Sequence, residues 1–389
     1  MNRISRRKGA HFSPIAGPKP GLHHSFGLDS AQAPIFAARM SSQLASFLNR
    51  RALAELLVLV GLCITGIVVF SGIGLGLVML SGTSVGTSAD LSFLIQEGSK
   101  GRILLLLVQG LTALGGFVLI PWLIRYLMPD SPFSPEDSHV FSSKPAVLDS
   151  VPSVQDRLKE ALPSLFRNSI IRPNATLLLL VAGLAILMMP VNSWLAEWNA
   201  FLLRLPLFHD FYSWAQVKED ELAELTQFLV RVEGPVDFLL AFLVVSVVAG
   251  FSEEYFFRKL IQPRVYGLVG NMHWAIWITA FFFSAIHMQF MGFIPRMMLG
   301  ALFGYYYFWT GNIWVSVFGH FLNNAITLIS LFLYQANVSP INVDDPSQVP
   351  WYISSMAAAL VWSLSVMVKE EADKSRARQK QPAQTELVS

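Results

Sequence analysis

The stretch Val236–Leu260 reads VDFLLAFLVVSVVAGFSEEYFFRKL, an apolar run into which Glu253, Glu254 and Arg258 are set. A helix crossing the hydrocarbon of a bilayer takes ~20 mostly apolar residues. Ionisable groups inside such a helix are costly, so they read as functional by default. Helical geometry sorts these three. Neighbours are ~100° apart around a helix, so Glu253 and Glu254 point in different directions. Glu254 and Arg258 are four apart, acid first, and share a face, which makes them an ion pair that braces the helix. Glu253 then has no partner on its own helix and is free to act.

Working outward, seven further stretches qualify or nearly qualify as spans: Ala52–Leu80, Ile103–Met128, Ala175–Trp194, Trp274–Phe290, Phe293–Trp309, Ile313–Tyr334 and Trp351–Val368. With Val236–Leu260 as the fourth of eight, the fold class is all-α, a polytopic integral membrane protein. The fifth and sixth spans are the shortest and meet at Gly292 as a tight hairpin. Charge is concentrated in the C-terminal half. The fifth span holds His287, and the seventh holds His320 with Asn323 and Asn324 beyond it. Arg296 lies near one end of the sixth. His320 and Asn324 are four apart and face one way. Glu253 and His287 lie equally far in sequence from a turn near Gly270, about 25 Å along their helices, hence at one level. A single site built by spans four to seven is expected, with Phe283 as part of its wall.

Composition agrees. Of 389 residues, 53% are hydrophobic and 14% charged, where a soluble domain has about 25% charged. The mean hydropathy is +0.49. A net charge of +2 gives no reason to invoke nucleic acid. A lone cysteine, Cys63, excludes an internal disulfide and a cysteine metal cluster. Residues 1–50 form a polar, basic arm, expected to be cytoplasmic and disordered. Arg6 and Arg7 stand side by side, but Gly9, Pro14, Pro18 and Pro20 follow where an export signal needs an apolar core. Residues 51–235 hold three spans with their loops, 236–334 the charged core, and 335–389 the last span and a basic tail. Pro129–Pro173 reads as a loop with one short amphipathic helix around Val154–Leu165, and Ala200–Gly234 as an acidic loop. Lys and Arg crowd into alternate connections, which places both termini on the cytoplasmic side of the inner membrane.

These residues resemble those of a known family. Glu253-Glu254-Tyr255-Phe256-Phe257-Arg258 matches the EExxxR motif of the CAAX protease and bacteriocin-processing (CPBP) family. Phe283-Ser284-Ala285-Ile286-His287 matches its FxxxH motif, and His320-Phe321-Leu322-Asn323-Asn324 its HxxxN motif. The three motifs stand in the family's order across about Val236–Tyr334. One departure is Lys259, where many members have glycine after the motif arginine. The resemblance implies an intramembrane endopeptidase acting on a peptide or membrane-associated protein. Carried over by position, Glu253 is the base that activates water, His287 holds and polarises that water, and His320 and Asn324 stabilise the oxyanion. Glu254 and Arg258 are structural support. Two histidines and a glutamate, His287, His320 and Glu253, are also a donor set for zinc. Metal-free glutamate catalysis is favoured, because a zinc-bound Glu253 leaves no second acid on its face to be the base. Two rivals are a non-enzymatic immunity or scaffold protein on the same fold and a proton-coupled transporter. The transporter is disfavoured because no paired halves are visible.

Overall fold

The computed structural model describes residues 33–83, 92–127, 171–342, 345 and 349–380, and all regular structure among them is helical. That follows from the sequence. An apolar segment in lipid must satisfy each backbone N–H and C=O within itself, and a helix does so. The chain divides into two units, Met1–Phe47 and Leu48–Ser389. Of the arm expected to be disordered, residues 33–50 are helical, as the start of α1 (Ala33–Leu80). The short helix expected around Val154–Leu165 lies outside the described residues.

The second unit holds the spans. After the apolar length of α1 come α2 (Gly98–Leu114), a π-turn at Gly115–Leu119 and α3 (Ile120–Leu127). Next are α4 (Ala175–Leu203), α5 (His209–Val230) and α6 (Pro235–Ala241). The line of α6 continues through a π-turn at Phe242–Val248, α7 (Ala249–Glu254), a second π-turn at Tyr255–Ile261 and α8 (Gln262–Val269). Then follow α9 (Met272–Ala285), α10 (Phe293–Thr310), α11 (Ile313–Gln335) and α12 (Trp351–Lys380). Among the described residues, six helices are long and apolar enough to cross a membrane: Ala52–Leu80, Phe93–Leu123, Ala175–Leu203, Pro235–Val269, Ile313–Gln335 and Trp351–Arg378. They turn large apolar side chains outward, Leu57, Ile64, Val68, Leu179 and Trp362 among them.

The other two expected spans, α9 and α10, differ from the rest. At 1.5 Å per residue α9 is about 21 Å long, short of the ~30 Å hydrocarbon core. The two helices form a hairpin whose tip, residues 286–292, is not helical. Irregular backbone at membrane depth is tolerated only where protein or a cavity surrounds it, and here the tip is clamped from outside the hairpin. Asn199 of α4 donates Nδ2 to the carbonyls of Phe290 and Met291, each at 2.8 Å, and accepts the Ile294 N–H at 3.1 Å. Glu219 of α5 accepts the Met291 N–H at 3.1 Å, and Phe211 and Trp214 pack on Phe290. The two arms of the hairpin close tightly because α10 lacks side chains where they touch. A Cβ on Gly300 would stand 2.9 Å from the Phe283 ring, and one on Gly304 3.0 Å from Ile276 Cγ2.

The acidic stretch read as a loop is the helix α5. Nothing in 209–230 breaks a helix, since Gly and Pro are absent from it. Pro206 opens the turn before it, and Gly234 and Pro235 follow it. Its charges hid it from a reading based on hydropathy. Only Ala215 and Phe228 are buried on it.

Packing places the charged segment at the centre. Tyr255, Phe256, Phe257 and Leu260 bury against Leu59 and Cys63 of α1, Val118 of the first π-turn and Phe283 of α9. On the other side Leu177, Val181 and Leu184 of α4 pack with Phe303 and Tyr306 of α10 and Val368 of α12. At the opposite end of the Pro235–Val269 span, Arg102 reaches Asp237 at 2.7 Å and Glu233 at 3.0 Å, pinning α2 to the entry of that span. Hydrogen bonds from Ser99 and Arg102 hold the Glu233 carboxyl below its ordinary value.

Replacing Asn199 with alanine leaves three backbone groups at the hairpin tip without partners. Asn199→Ala should lower stability by about 2–4 kcal/mol, read as a fall in the unfolding temperature in detergent. Ser193→Ala, one turn and a half away on the same helix, should shift it little. Equal shifts for the two would show that Asn199 does not hold the tip.

Candidate active site

Glu253, His287, His320 and Asn324 line one cavity of about 620 Å³, together with Phe283, Arg296, Phe303 and residues of α4. Glu253 comes from the last turn of α7, between the two π-turns. Such turns add a residue to the helical ladder and recur at functional sites. His320 and Asn324 come from one face of α11. His287 is not on a helix. It sits in the turn just past α9, where Met288 has a φ of 55°, so the sequence reading placed it on a span that ends two residues earlier.

Each imidazole is fixed from behind. His320 Nδ1 lies 2.9 Å from Glu254 Oε1, and His287 Nδ1 lies 2.8 Å from the Phe283 carbonyl. An ionised carboxylate and a carbonyl can only accept, so both Nδ1 atoms carry hydrogen and donate. Both Nε2 atoms then face forward, and each is 3.9 Å from Glu253 Oε2. That separation is too long for a direct hydrogen bond and leaves a gap framed by three polar atoms. Phe303 stacks on the His320 ring at 4.9 Å and 15°, and Phe283 meets both imidazoles edge-on. Of the run Phe281–Phe283, only Phe283 is buried, while Phe281 and Phe282 face outward.

Glu254 does two things. Its Oε1 is 2.8 Å from Arg258 Nη1, an ion-pair contact off the line of a good hydrogen bond, and both side chains are wholly buried. The same oxygen takes the His320 N–H. Arg258 is closed in further: Nη2 donates to the Gly300 carbonyl at 2.8 Å, and the guanidinium lies 4.6 Å from the Phe283 ring centroid. It does not reach for the membrane surface. Glu254 and Arg258 therefore bind α10 and α11 to the Val236–Leu260 segment as well as bracing it.

Asn324 is turned by a similar constraint. Its Nδ2 donates to the Val245 carbonyl in the Phe242–Val248 π-turn at 2.9 Å, and its Oδ1 accepts from Asn323 at 3.3 Å. One amide hydrogen is left over. Among the described residues, no three His, Cys, Asp or Glu side chains are grouped tightly enough to hold a metal ion. Two contributors were not assigned in the sequence: Asn199, which lies past the expected span end at Trp194 on a helix that runs to Leu203, and Arg296, for which a charge in an apolar helix was the available signal.

Comparison with known proteins bears on the same segment. Residues 235–326 match the family model described as Type II CAAX prenyl endopeptidase Rce1-like, consistent with the CPBP resemblance. The chain is 27% identical over 88 residues to the uncharacterized protein YpbD of Bacillus subtilis (strain 168). That alignment takes in 22% of this chain and 42% of the relative. No solved structure matches.

Removing one partner of a buried pair strands the other charge, so Glu254→Leu should cost about 3–5 kcal/mol. Glu254→Leu with Arg258→Leu should lose clearly less than the single variant. Thermal unfolding of both proteins in detergent checks this. A double variant as unstable as the single one would mean that the pair is not the source of the loss.

Proposed function

We propose that this chain is an intramembrane endopeptidase in which Glu253 draws a proton from a water held between its carboxylate and the two histidine Nε2 atoms. The observation that carries this reading is the convergence of three polar atoms at 3.9 Å around a gap, with both imidazoles locked from behind. His287 accepts one O–H of the water and Glu253 takes the other proton. The hydroxide formed attacks the carbonyl carbon of the substrate, and the carbonyl oxygen becomes an oxyanion. Glu253 then passes its proton to the amide nitrogen as the C–N bond breaks.

His320 donates to an oxyanion only when protonated, because Nδ1–H is already spent on Glu254. Glu254 fixes the orientation of that ring through the bond to Nδ1. Glu254 is then a positioning residue as well as a brace. The spare hydrogen of Asn324 is the second donor. Donors of this kind are most effective where water is excluded.

Zinc is the other route to an activated water. His287, His320 and Glu253 suit it in type, and hydrogen bonds behind both histidines are the usual support of metal ligands. Ligand atoms on a tetrahedral zinc stand roughly 3.3 Å apart, so the observed 3.9 Å is wider than a bound ion holds. When bound, the ion would polarise water and carbonyl. Glu253 would then be a ligand, and Glu254 is already engaged by Arg258 and His320. That shortage of a base favours the glutamate scheme.

The substrate is a peptide or membrane-associated protein that enters the cavity from the bilayer. The enzyme sits in the cytoplasmic membrane with both termini inside.

Glu253→Gln keeps the shape and removes the base. Turnover should fall by about 10²–10⁴-fold with an unchanged unfolding temperature. Substrates come from terminal-peptide proteomics of membranes bearing wild type or Glu253→Gln, and purified protein is then assayed on them. Comparable turnover by the variant would reject the scheme. Near-stoichiometric zinc by elemental analysis, with activity lost on stripping and restored by zinc, would reject its metal-free form.

A further inference from the structure

Arg296 is a charged group on the cavity wall that the hydrolytic scheme leaves idle. It sits in the first turn of α10 and lines the cavity with Glu253, His287 and His320. Nη1 donates to the Gln289 carbonyl at 3.2 Å, and Nη2 to Gln289 Oε1 at 2.8 Å. Both acceptors are neutral. Glu219 and Glu253 are the acids whose charge reaches it, yet it forms no ion pair within 4.0 Å among the described residues. Glu219 accepts the Met291 N–H, and Glu253 faces the two histidines.

A guanidinium carries five N–H donors, and two are used here. Arg296 is half-buried, and a cation partly removed from water is costly unless it is matched. Arginines among membrane segments are rare, and they mark paths for substrates or ions. The planar fork fits a carboxylate with two parallel bonds. The position is specific as well, since Gln289 lies two residues from His287. An anion on Arg296 would therefore lie beside the proposed catalytic gap.

We propose that Arg296 binds a carboxylate of the peptide being cut, supplied by an acidic side chain near the scissile bond or by the chain terminus. The site thus selects peptides that carry a negative charge at a fixed distance from the bond. The proposal rests on the endopeptidase reading, and binding tests it separately from turnover.

The experiment uses the full chain with Glu253→Gln, in neutral detergent, and three fluorescent leucine-rich peptides of one length. One ends in an amide, one in a free carboxylate, and one in an amide with a single internal aspartate. At least one acidic peptide should bind about tenfold or more tighter than the neutral one, and the form that gains identifies the source of the carboxylate. Adding Arg296→Gln should reduce that advantage to about twofold or less while neutral binding stays the same. A loosened hairpin tip would instead weaken all three peptides alike. Equal binding of all three, or an acidic preference that survives Arg296→Gln, would overturn the proposal. So would loss of the preference on adding phosphatidylglycerol, which would assign the site to a lipid phosphate. Arg296-dependent binding with no turnover of any substrate by wild type would sink the endopeptidase reading alone.

Discussion

The site depends on one buried contact, the Glu254 carboxylate held between Arg258 and His320. Two charges fully out of water are costly, and facing each other offsets part of that cost; Arg258 Nε and Glu254 Oε2 stay without a hydrogen bond. Here the arginine also binds the Gly300 carbonyl and lies against the ring of Phe283. The shared Oε1 ties three helical segments at one point. From that point the rest follows: Nδ1 of His320 is taken, Nε2 faces the cavity, and Glu253, one residue earlier and about 100° around the helix, faces the same gap from the other side.

A second constraint is the hairpin of α9 and α10. Ending α9 at Ala285 turns the imidazole into the cavity, and it exposes backbone that lipid cannot satisfy. Asn199 and Glu219, both outside the segment with family resemblance, satisfy that backbone. Residues of α4 line the cavity as well. The helices α4 and α5 thus support the hairpin tip, and α4 forms one wall of the cavity.

Much of this was legible in the sequence. Apolar length gave the six long helices, because hydrophobicity is the property that a bilayer reads. The rarity of charge in the apolar runs picked out Glu253, Glu254, Arg258, His287 and His320, and the Glu253 and His287 side chains do face each other at 3.9 Å. What stayed hidden depends on tertiary partners. No pattern within 200–234 shows that its acidic residues lie on a helix that grips the hairpin tip. The link from Glu254 to His320 joins residues far apart in the chain, so an intrahelical rule found only the Arg258 half of it. The stop at Ala285 has no proline to mark it and depends on the clamp by Asn199.

The central claim is that hydrogen bonds from behind turn both imidazole Nε2 atoms toward Glu253. Nitrogen-15 NMR of histidine-labelled protein in micelles measures it directly, with His287→Gln and His320→Gln used for assignment. The account predicts a proton on Nδ1 of both residues, and loss of that fixed state at His320, but not at His287, in Glu254→Gln. A bare Nδ1 at either histidine in the unsubstituted protein would contradict it.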